Sequence, residues 1–296
     1  MNDIAVNSMK AWLLASRPKT LTGAAVPVMI GLSMAFADLG ADGFMLLPAV
    51  LCMLFAFVMQ IDANMVNDYF DFLHGNDDET RLGPLRACAQ GWVTVPAMRM
   101  ALLIVTVLAC LVGLPLVVFG GIELVLVGLA CVVFCFLYTT SLSYHGLGDV
   151  LVLVFFGLVP VCATYYIQTG MVTIDVVLAS ISCGLVIDTL LIVNNYRDID
   201  NDTRAGKRTL IVRLGARNGL RAYLVAGLVP LLSGVCFALH GHLVAALLPV
   251  VYVTFHVATY NKMVRINKGR ALNGVLADTA RNIFIYGLCV SAGMLL

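Results

Sequence analysis

The chain is poor in charge: of its 296 residues, 12% are Asp, Glu, Lys or Arg, whereas 61% are hydrophobic. A soluble domain carries about twice that charged fraction. The net charge is only +1, and the sequence contains no basic arm and no aromatic–basic module, so a nucleic-acid partner is excluded. Together with a mean hydropathy of +0.96, the scarcity of charge predicts a multi-pass protein of the lipid bilayer.

Metal-binding patterns of cysteine and histidine are also missing. The nine cysteines include no Cys-x-x-Cys pair, and all except Cys88 lie inside apolar runs. The five histidines show no metal-ligand spacing. We therefore expect reduced packing cysteines, with neither zinc sites nor disulfides. No small-residue cleavage site follows the first apolar run, so we expect a retained helix there and no signal peptide.

Apolar runs divide the chain into nine segments, each close to the roughly 20 residues that cross a bilayer. They cover residues 21–37, 44–66, 100–118, 122–138, 149–168, 173–196, 222–239, 243–261 and 275–296. Basic residues precede the first run and recur in the second, sixth and eighth loops, whereas the first, third, fifth and seventh loops have none. Because positive charge marks the cytoplasmic side, this alternation predicts an all-α integral membrane protein with nine transmembrane helices and a cytoplasmic N-terminus. Residues 1–296 are expected to form a single domain.

A first polar motif, Asn64-Met-Val-Asn67-Asp68-Tyr-Phe-Asp71, stands where the second apolar run ends. A helix turns by about 100° per residue. With Asn64 at zero, Asp68 lies at about 40° around the helix axis and Asp71 at about 340°. One helix face therefore presents two carboxylates and an amide. Without partners these groups would repel one another and lose hydration, so the face calls for a cation.

A second motif of the same kind, Asn194-Asn-Tyr-Arg-Asp198-Ile-Asp-Asn-Asp202, ends the sixth apolar run. Its residues Asn194, Asp198 and Asp202 also share one helix face, at about 0°, 40° and 80° around the helix axis. Both motifs are predicted on the cytoplasmic side. Two acidic helix ends facing each other would form a pocket for hard divalent cations. We predict two Mg²⁺ ions there that hold a diphosphate.

Further charged residues lie near the motifs or within the apolar runs. Five basic residues could neutralise a departing diphosphate: Arg81, Arg86, Arg204, Lys207 and Arg208. For any one of them, a topology signal in a cytoplasmic loop is the simpler interpretation. Among the carboxylates inside the apolar runs, we expect a structural role for Asp62. The sequence leaves open whether Asp188 is structural or a proton acceptor in a cavity.

The combined motifs resemble the UbiA superfamily of intramembrane aromatic prenyltransferases. Within it, the sequence is similar to the branch that acts on 1,4-dihydroxy-2-naphthoate in menaquinone synthesis. The matching pieces run in order along nearly the whole chain. They are Ser16-Arg-Pro-Lys-Thr-Leu21, the first acidic motif with Gly83-Pro-Leu-Arg86, Gly146-Leu-Gly-Asp149, Phe155-Phe-Gly157, Tyr165-Tyr166 with Gln168, the second acidic motif, Gly206-Lys-Arg-Thr-Leu210, Val212-Arg-Leu-Gly215 and Leu272-Asn273 to Thr279-Ala280.

The resemblance implies helices around a central cavity with a lateral opening to lipid. It implies that magnesium is held by catalytic Asp68, Asp71, Asp198 and Asp202 together with Asn64. The implied substrate-binding residues are Asn64, Asn67, Asn194, Arg17, Lys19, Arg86, Tyr138, Asp149, Arg197, Lys207 and Arg208. The implied reaction transfers a polyprenyl group from polyprenyl diphosphate to 1,4-dihydroxy-2-naphthoate, with loss of carbon dioxide, to give a demethylmenaquinone. The implied location is a bacterial inner membrane, with the active-site loops in the cytoplasm.

Aromatic residues of the fifth apolar run are expected to shield the reacting prenyl carbon from water. The candidates are Phe155, Phe156, Tyr165 and Tyr166. Such rings stabilise a cation-like centre and keep water away, although plain packing is the commoner role of aromatics in membrane helices.

The acceptor and the protein class each have an alternative. Relatives that act on 4-hydroxybenzoate commonly carry Tyr-x-x-x-Lys after the fourth helix, but here Tyr138 is followed by Thr-Thr-Ser-Leu142. The missing lysine counts against 4-hydroxybenzoate. Within the superfamily, phytyl or solanesyl transfer to homogentisate and haem farnesylation stay as rival activities. A secondary transporter is the alternative from another class, but the carboxylates lie at helix ends and not at the midplane. The Asp-Gly…Ala-Arg spacing of a CDP-alcohol phosphotransferase is absent.

Overall fold

The computed structural model describes residues 4–75 and 81–296, and this part of the chain is helical with no strand. A short helix, α1 (Met9–Ser16), precedes the long ones. The other helices are α2 (Leu21–Gly43), α3 (Leu46–Leu73), α4 (Val95–Gly120), α5 (Glu123–Leu142), α6 (Gly148–Thr169), α7 (Ile174–Arg197), α8 (Ile199–Arg204), α9 (Leu210–Leu214), α10 (Ala216–Leu239), α11 (Leu243–Ile266) and α12 (Leu272–Leu295).

Eight helices in the described part of the chain are long and apolar enough to cross a membrane, the first running from Met9 through Gly43. Helix α12 has the necessary length but is not among them. Its first half carries Asp278, Arg281 and Asn282, which lower its hydropathy. The predicted all-α, multi-spanning architecture is therefore confirmed. The count of nine spans and the orientation stay predictions.

Helices α2 and α7 form the centre of the bundle. Helix α2 packs against α3, α6, α7 and α12, and α7 also packs against α6, α10 and α12. Their buried residues, including Ile30 and Val186, belong to the largest hydrophobic cluster. Helices α4 and α5 instead expose large apolar side chains such as Leu103 and Leu126. That pattern suits helices whose outer faces contact lipid.

Asp62 has the structural contact that the sequence suggested. It is fully buried on α3, and its Oδ2 atom accepts a 2.9 Å hydrogen bond from the Thr106 hydroxyl on α4. A hydrogen bond between helices satisfies a polar group that lipid would leave without a partner. Asp62 therefore joins α3 to α4 and does not face the acidic motifs.

Two glycines bring α6 and α7 into backbone contact. A Cβ atom at Gly157 would lie 2.5 Å from the Ser180 carbonyl oxygen, and one at Gly184 would lie 3.0 Å from the Leu153 carbonyl oxygen. Residues Leu153–Leu158 of α6 are π-helical, and such segments are often found at functional sites. The close approach fixes the position of α6 on the helix that carries the second acidic motif.

We expect Gly184→Ala to destabilise the protein by about 1–3 kcal/mol, because the added methyl group overpacks this contact. Gly128→Ala is the matched control, because no atom lies within 4 Å of the position of its Cβ. The measurement is the temperature at which each purified variant loses its monodisperse chromatographic peak in detergent. An unchanged temperature for Gly184→Ala would contradict the inferred contact.

Candidate active site

A cavity of about 570 Å³ lies among helices α2 to α7. Its wall is mainly apolar and includes Phe55, Met59 and Phe134. Its polar lining residues are Thr20, Gln60, Asn67, Tyr138, Thr164 and Asn194. All of these except Thr164 lie toward the helix ends that carry the two acidic motifs. The cavity therefore suits an elongated apolar ligand with a polar head at that end.

In the first motif, Asp68 holds the chain segment that follows Arg86. It is fully buried; its Oδ2 atom accepts a 2.9 Å hydrogen bond from the Ala87 N–H group, and its Oδ1 atom accepts a 3.0 Å bond from the Cys88 N–H group. The Nη2 atom of Arg17 is 4.0 Å from the same Oδ2 atom. Asp68 thus has a structural task in addition to any contact with ligand.

Arg17 has a left-handed backbone conformation, with φ 49° and ψ 67°. Such a conformation costs a residue with a side chain about 1–3 kcal/mol and is concentrated at functional sites. It separates α1 from the turn Pro18–Thr20 and leaves the guanidinium beside Asp68. The neighbouring Lys19 is exposed and makes no side-chain hydrogen bond or ion pair with the described residues. The structure therefore brings Arg17 next to Asp68, and the role of Lys19 stays a prediction.

Asn64 anchors α3 to the segment before α2. Its Nδ2 atom donates to the Ser16 carbonyl oxygen at 3.0 Å and to the Thr20 hydroxyl at 2.8 Å. Its Oδ1 atom accepts a 3.3 Å hydrogen bond from Gln60. The predicted ligand is thus engaged with protein groups, and its role toward magnesium stays a prediction.

Asp71 and Arg86 form a buried ion pair, with 2.7 Å between Arg86 Nη2 and Asp71 Oδ2. Both residues are at least nine-tenths buried. Removing one partner of such a pair leaves an uncompensated charge and is strongly destabilising. The pair places one guanidinium against the first motif, as expected for a group that binds an anion there.

In the second motif, Arg197 forms a bidentate ion pair with Asp198. Its Nε atom is 2.9 Å from Asp198 Oδ1, and its Nη2 atom is 2.5 Å from Oδ2. Its Nη1 atom donates to Asn273 Oδ1 at 2.7 Å, and Asn273 Nδ2 donates to the Leu82 carbonyl oxygen at 2.9 Å. Asn273 therefore joins the second motif to the loop after the first. The sequence placed it in a matching stretch but gave it no role.

Asp202 differs from the other carboxylates of the two motifs. Its side chain is buried but makes no hydrogen bond or ion pair with residues 4–75 or 81–296. Burial raises the pKa of Asp202 to about 6; Lys207 lowers this pKa in part, and the charge of Asp198 raises it. A cation bound beside Asp202 would reverse the effect of burial. Asp202 is thus the carboxylate best placed to accept one.

The described residues contain no group of three or more Asp, Glu, His or Cys side chains arranged to hold a metal ion by themselves. The donor set is nevertheless all oxygen, and Asp202 is buried without an ion-pair partner in that part of the chain. Magnesium usually takes one or two carboxylates and completes its shell with phosphate oxygens and waters. The residues therefore fit a magnesium ion that binds together with a diphosphate.

The loops after α5 and α8 pack together next to Asp202. The Lys207 Nζ atom lies 4.9 Å from the centre of the Tyr144 ring, and the Arg208 N–H group donates to the Tyr144 carbonyl oxygen at 3.0 Å. Arg213 donates to the His145 carbonyl oxygen at 2.8 Å. These contacts hold the segment of Lys207 and Arg208 against the loop after α5, and Lys207 interacts electrostatically with Asp202.

The other predicted residues divide between the cavity and its surroundings. Asn67, Tyr138 and Asn194 line the cavity, and Asn67 also accepts a hydrogen bond from the Thr139 hydroxyl. Asp149 is the second residue of α6. It is not itself a lining residue, whereas Leu151 and Val152 of the same helix are.

The prediction for the aromatic lining is half right. Phe155 and Phe156 line the cavity, whereas Tyr165 and Tyr166 do not. The cavity-facing stripe of α6 continues through residues 159, 160, 163, 164 and 167, which recur at helical spacing. Tyr165 and Tyr166 fall beside that stripe, and the Tyr165 hydroxyl instead donates to Asp38.

Comparisons with known proteins agree with this architecture. The profile of the UbiA prenyltransferase family matches residues 24–285. The chain is 37% identical to a 1,4-dihydroxy-2-naphthoate octaprenyltransferase of Escherichia coli, over 81% of each chain. It is 32% identical to one of Mycobacterium tuberculosis, over 97% of each. A UbiA homolog from Archaeoglobus fulgidus bound to GPP and Mg²⁺ shares the fold, with a TM-score of 0.64, 13% identity and coverage of 95% of this chain and 99% of the other.

Proposed function

Because this chain belongs to the UbiA prenyltransferase family, we propose that it transfers a polyprenyl group from polyprenyl diphosphate to 1,4-dihydroxy-2-naphthoate. Carbon dioxide is lost, and the product is a demethylmenaquinone in its hydroquinone form. The observation that carries this proposal is the identity of 32% over 97% of the chain to an enzyme of that name. The enzyme class and the menaquinone-pathway function predicted from the motifs are thereby confirmed.

The cavity has the shape and lining that this pair of substrates needs. Its apolar part accommodates a prenyl chain, and its polar end lies against the two acidic motifs. A ligand pocket of this kind gains affinity from apolar burial and orientation from a few polar groups. The diphosphate is placed at the polar end, within reach of Arg86, Lys207 and Arg208.

Magnesium is proposed as the cofactor, with two ions. A bound Mg²⁺ ion supplies positive charge that neutralises the diphosphate as it departs. Asp202 and Asp198 would hold it from α7 and α8, and Asp71 and Asp68 from α3, with Asn64 as an amide ligand. A UbiA homolog with GPP, a prenyl diphosphate, and Mg²⁺ bound supports the divalent cation.

The chain's own residues position the reactants and protect the reacting carbon. Arg86, Lys207 and Arg208 bind diphosphate oxygens and stabilise the leaving group. Phe155 and Phe156 keep water from the prenyl carbon while its bond to oxygen breaks. The electron-rich naphthoate ring then attacks that carbon, and departure of carbon dioxide restores the aromatic ring. Catalysis therefore depends mainly on position and electrostatics.

The membrane arrangement extends the observed fold. We place α12 as a ninth span, with residues 1–296 as one domain in a bacterial inner membrane. The N-terminus and both acidic motifs then face the cytoplasm, because the loops that follow them carry the basic residues. Cysteines introduced at Gly91 and Gly241 test this: an impermeant thiol reagent applied to intact cells should label only the second.

The test of function uses naphthoate labelled in its carboxyl carbon, purified protein, a prenyl diphosphate and Mg²⁺. We expect labelled carbon dioxide together with an equal amount of prenylated hydroquinone, measured as the quinone after oxidation in air. 4-Hydroxybenzoate and homogentisate serve as competing acceptors. Prenylation of either one, with the naphthoate untouched, would refute the acceptor and leave the family intact. Uptake of a solute by proteoliposomes without prenyl transfer would instead favour the transporter.

A further inference from the structure

A pair of carboxylates lies beside the cavity, outside both acidic motifs. Asp149 is at the start of α6, and Asp188 is in the middle of α7. Only 7% of Asp188 is exposed. The Oδ1 atoms of both residues are buried and accept no hydrogen bond, and the two side chains interact electrostatically. Neither forms an ion pair with the described residues.

Tight packing of α6 on α7 holds this pair together. On one side of it, a Cβ at Gly184 would lie 2.8 Å from Leu153 Cδ1. On the other side, a Cβ at Gly148 would lie 3.3 Å from Leu191 Cδ2. Asp188 lies between Gly184 and Leu191 in sequence, and Asp149 lies between Gly148 and Leu153. The carboxylates are thus confined between two close helix contacts.

Two buried carboxylates without a cation retain a proton between them. Ionising both would place like charges in a medium of low dielectric, so one stays neutral and the other charged. A buried group whose hydrogen-bonding capacity is left unused calls for an explanation, and a ligand or catalytic role is one. The pair is therefore equipped to accept one proton and to return it.

Tyr138 connects the pair to the cavity. Its side chain lines the cavity, and its hydroxyl lies 3.8 Å from the position of a Cβ at Gly148. It interacts electrostatically with both Asp149 and Asp188. The Tyr138 hydroxyl makes no hydrogen bond within residues 4–75 and 81–296, so it is available to a ligand. Asp188 precedes Asn194 by six residues, about 9 Å along α7, which is deeper than the proposed diphosphate end.

We propose that the Asp149–Asp188 pair, reached from the cavity through Tyr138, exchanges a proton with a hydroxyl group of the aromatic acceptor. The step rests on the proposed function. The prenyl C–O bond breaks, and its electron pair leaves on the diphosphate. The ring carbon that bears the carboxylate uses a ring π electron pair to form the new C–C bond. A lone pair of the hydroxyl oxygen then enters the ring. The hydroxyl proton passes through Tyr138 to the ionised member of the carboxylate pair.

The second half of the step returns an electron pair to the ring and the proton to the oxygen. The bond to the carboxylate breaks, its electron pair re-enters the ring, and carbon dioxide leaves. The proton passes back from the pair to the oxygen, which regenerates the hydroquinone and the starting state of the protein. Tyr138 touches the acceptor, whereas Asp149 and Asp188 act through it and are positioning residues.

The test compares Asp188→Asn with wild type on two acceptors: the naphthoate and its methyl ethers, which have no proton to give at the methylated oxygen. Asp188→Asn should lower kcat for the naphthoate by about 10²- to 10⁴-fold. The ether that is methylated at the oxygen which gives up its proton should lower wild-type kcat by a similar factor. On that ether, Asp188→Asn should have the same kcat as wild type. Affinity for prenyl diphosphate with Mg²⁺ should not change. Asp62→Asn, at a buried carboxylate on α3 that contacts Thr106, is the matched control and should keep wild-type kcat.

The outcomes separate the inference from the function on which it rests. If the fold losses in kcat from Asp188→Asn and from the methyl ether simply multiply, the two changes act independently, and the proton exchange would be overturned. A variant with wild-type kcat on the naphthoate would overturn it too. Both results would leave the proposed function standing. A variant that loses diphosphate affinity and thermal stability in parallel with kcat would assign Asp188 to structure alone. A wild-type protein that does not prenylate the naphthoate at all would overturn both proposals.

Discussion

Asp198→Asn and Asp202→Asn are each expected to reduce prenyl transfer by about 10²- to 10³-fold or more, the cost of losing one well-placed electrostatic contact to a developing charge. Asp202 is buried without an ion-pair partner in the described chain, and Asp198 forms a bidentate ion pair with Arg197. Asp202 interacts electrostatically with both Lys207 and Asp198. The measurement is kcat at saturating Mg²⁺, with membrane insertion and thermal stability recorded for each variant.

Asp200→Asn is the matched control for this experiment, because Asp200 lies in the same short helix. Its side chain is 75% exposed and is 3.5 Å from Lys268 on the surface. Exposed ion pairs of this kind contribute little, so kcat should stay at the wild-type value. Full activity in Asp198→Asn or Asp202→Asn at saturating Mg²⁺ would contradict a site built from both motifs.

Asp68→Asn should also abolish activity, but through two effects at once. Both oxygens of Asp68 accept backbone hydrogen bonds, from Ala87 and from Cys88. An amide can accept on one atom only, so one buried N–H group would lose its partner, at a cost of about 1–3 kcal/mol. A fall in both stability and kcat is expected for this variant, in contrast to Asp202→Asn, which should lose kcat alone.

The sequence was sufficient for an all-α, multi-spanning architecture and for the polar face of α3. Low charge and long apolar runs predict membrane helices, and helical spacing places Asn64, Asp68 and Asp71 on one face of α3. These are local regularities, which a single sequence displays directly. The eight spans and the common polar end of the cavity agree with that reasoning.

The partners of those side chains could not be predicted in the same way. Asn64 is bound by Ser16 and Thr20, and Asp71 by Arg86. Each contact joins segments that are distant in the chain or separated by a loop, and helical periodicity contains no information about such contacts. Polar residues on one helix face therefore predicted a shared site but not which of them are already occupied by protein groups.

The Asn273 contacts and the aromatic lining show the same limit. Asn273 bridges Arg197 and the Leu82 carbonyl oxygen across about 190 residues of chain, and no local pattern marks it. For α6, the sequence shows that Tyr165 and Tyr166 are aromatic, but the stripe that faces the cavity depends on how α6 is rotated against α7. That rotation is set by the Gly157 and Gly184 contacts.

Replacing Lys207 and Arg208 together by Ala should raise the Kd for prenyl diphosphate by about 10²- to 10⁴-fold. Hydrogen bonds between a charged side chain and an anion are worth about 1.5–3 kcal/mol each, and each factor of ten in Kd is about 1.4 kcal/mol. The Lys207 N–H group donates to the Asp202 carbonyl oxygen at 2.9 Å, and the contacts with Tyr144 hold this segment in place. The KM for the naphthoate should change little, because the proposed function assigns this loop to the diphosphate and not to the acceptor.

The control is the double replacement of Arg217 and Arg221 by Ala, which removes the same charge from the start of α10. Both side chains are exposed, and they lie outside the loop that contacts Tyr144. A general loss of positive potential would weaken diphosphate binding equally in the two double variants. Direct contacts would weaken it only in the Lys207/Arg208 variant, and the difference should persist at high ionic strength, where long-range attraction between exposed charges is screened. Equal Kd values for the two variants would reduce Lys207 and Arg208 to signals of membrane topology.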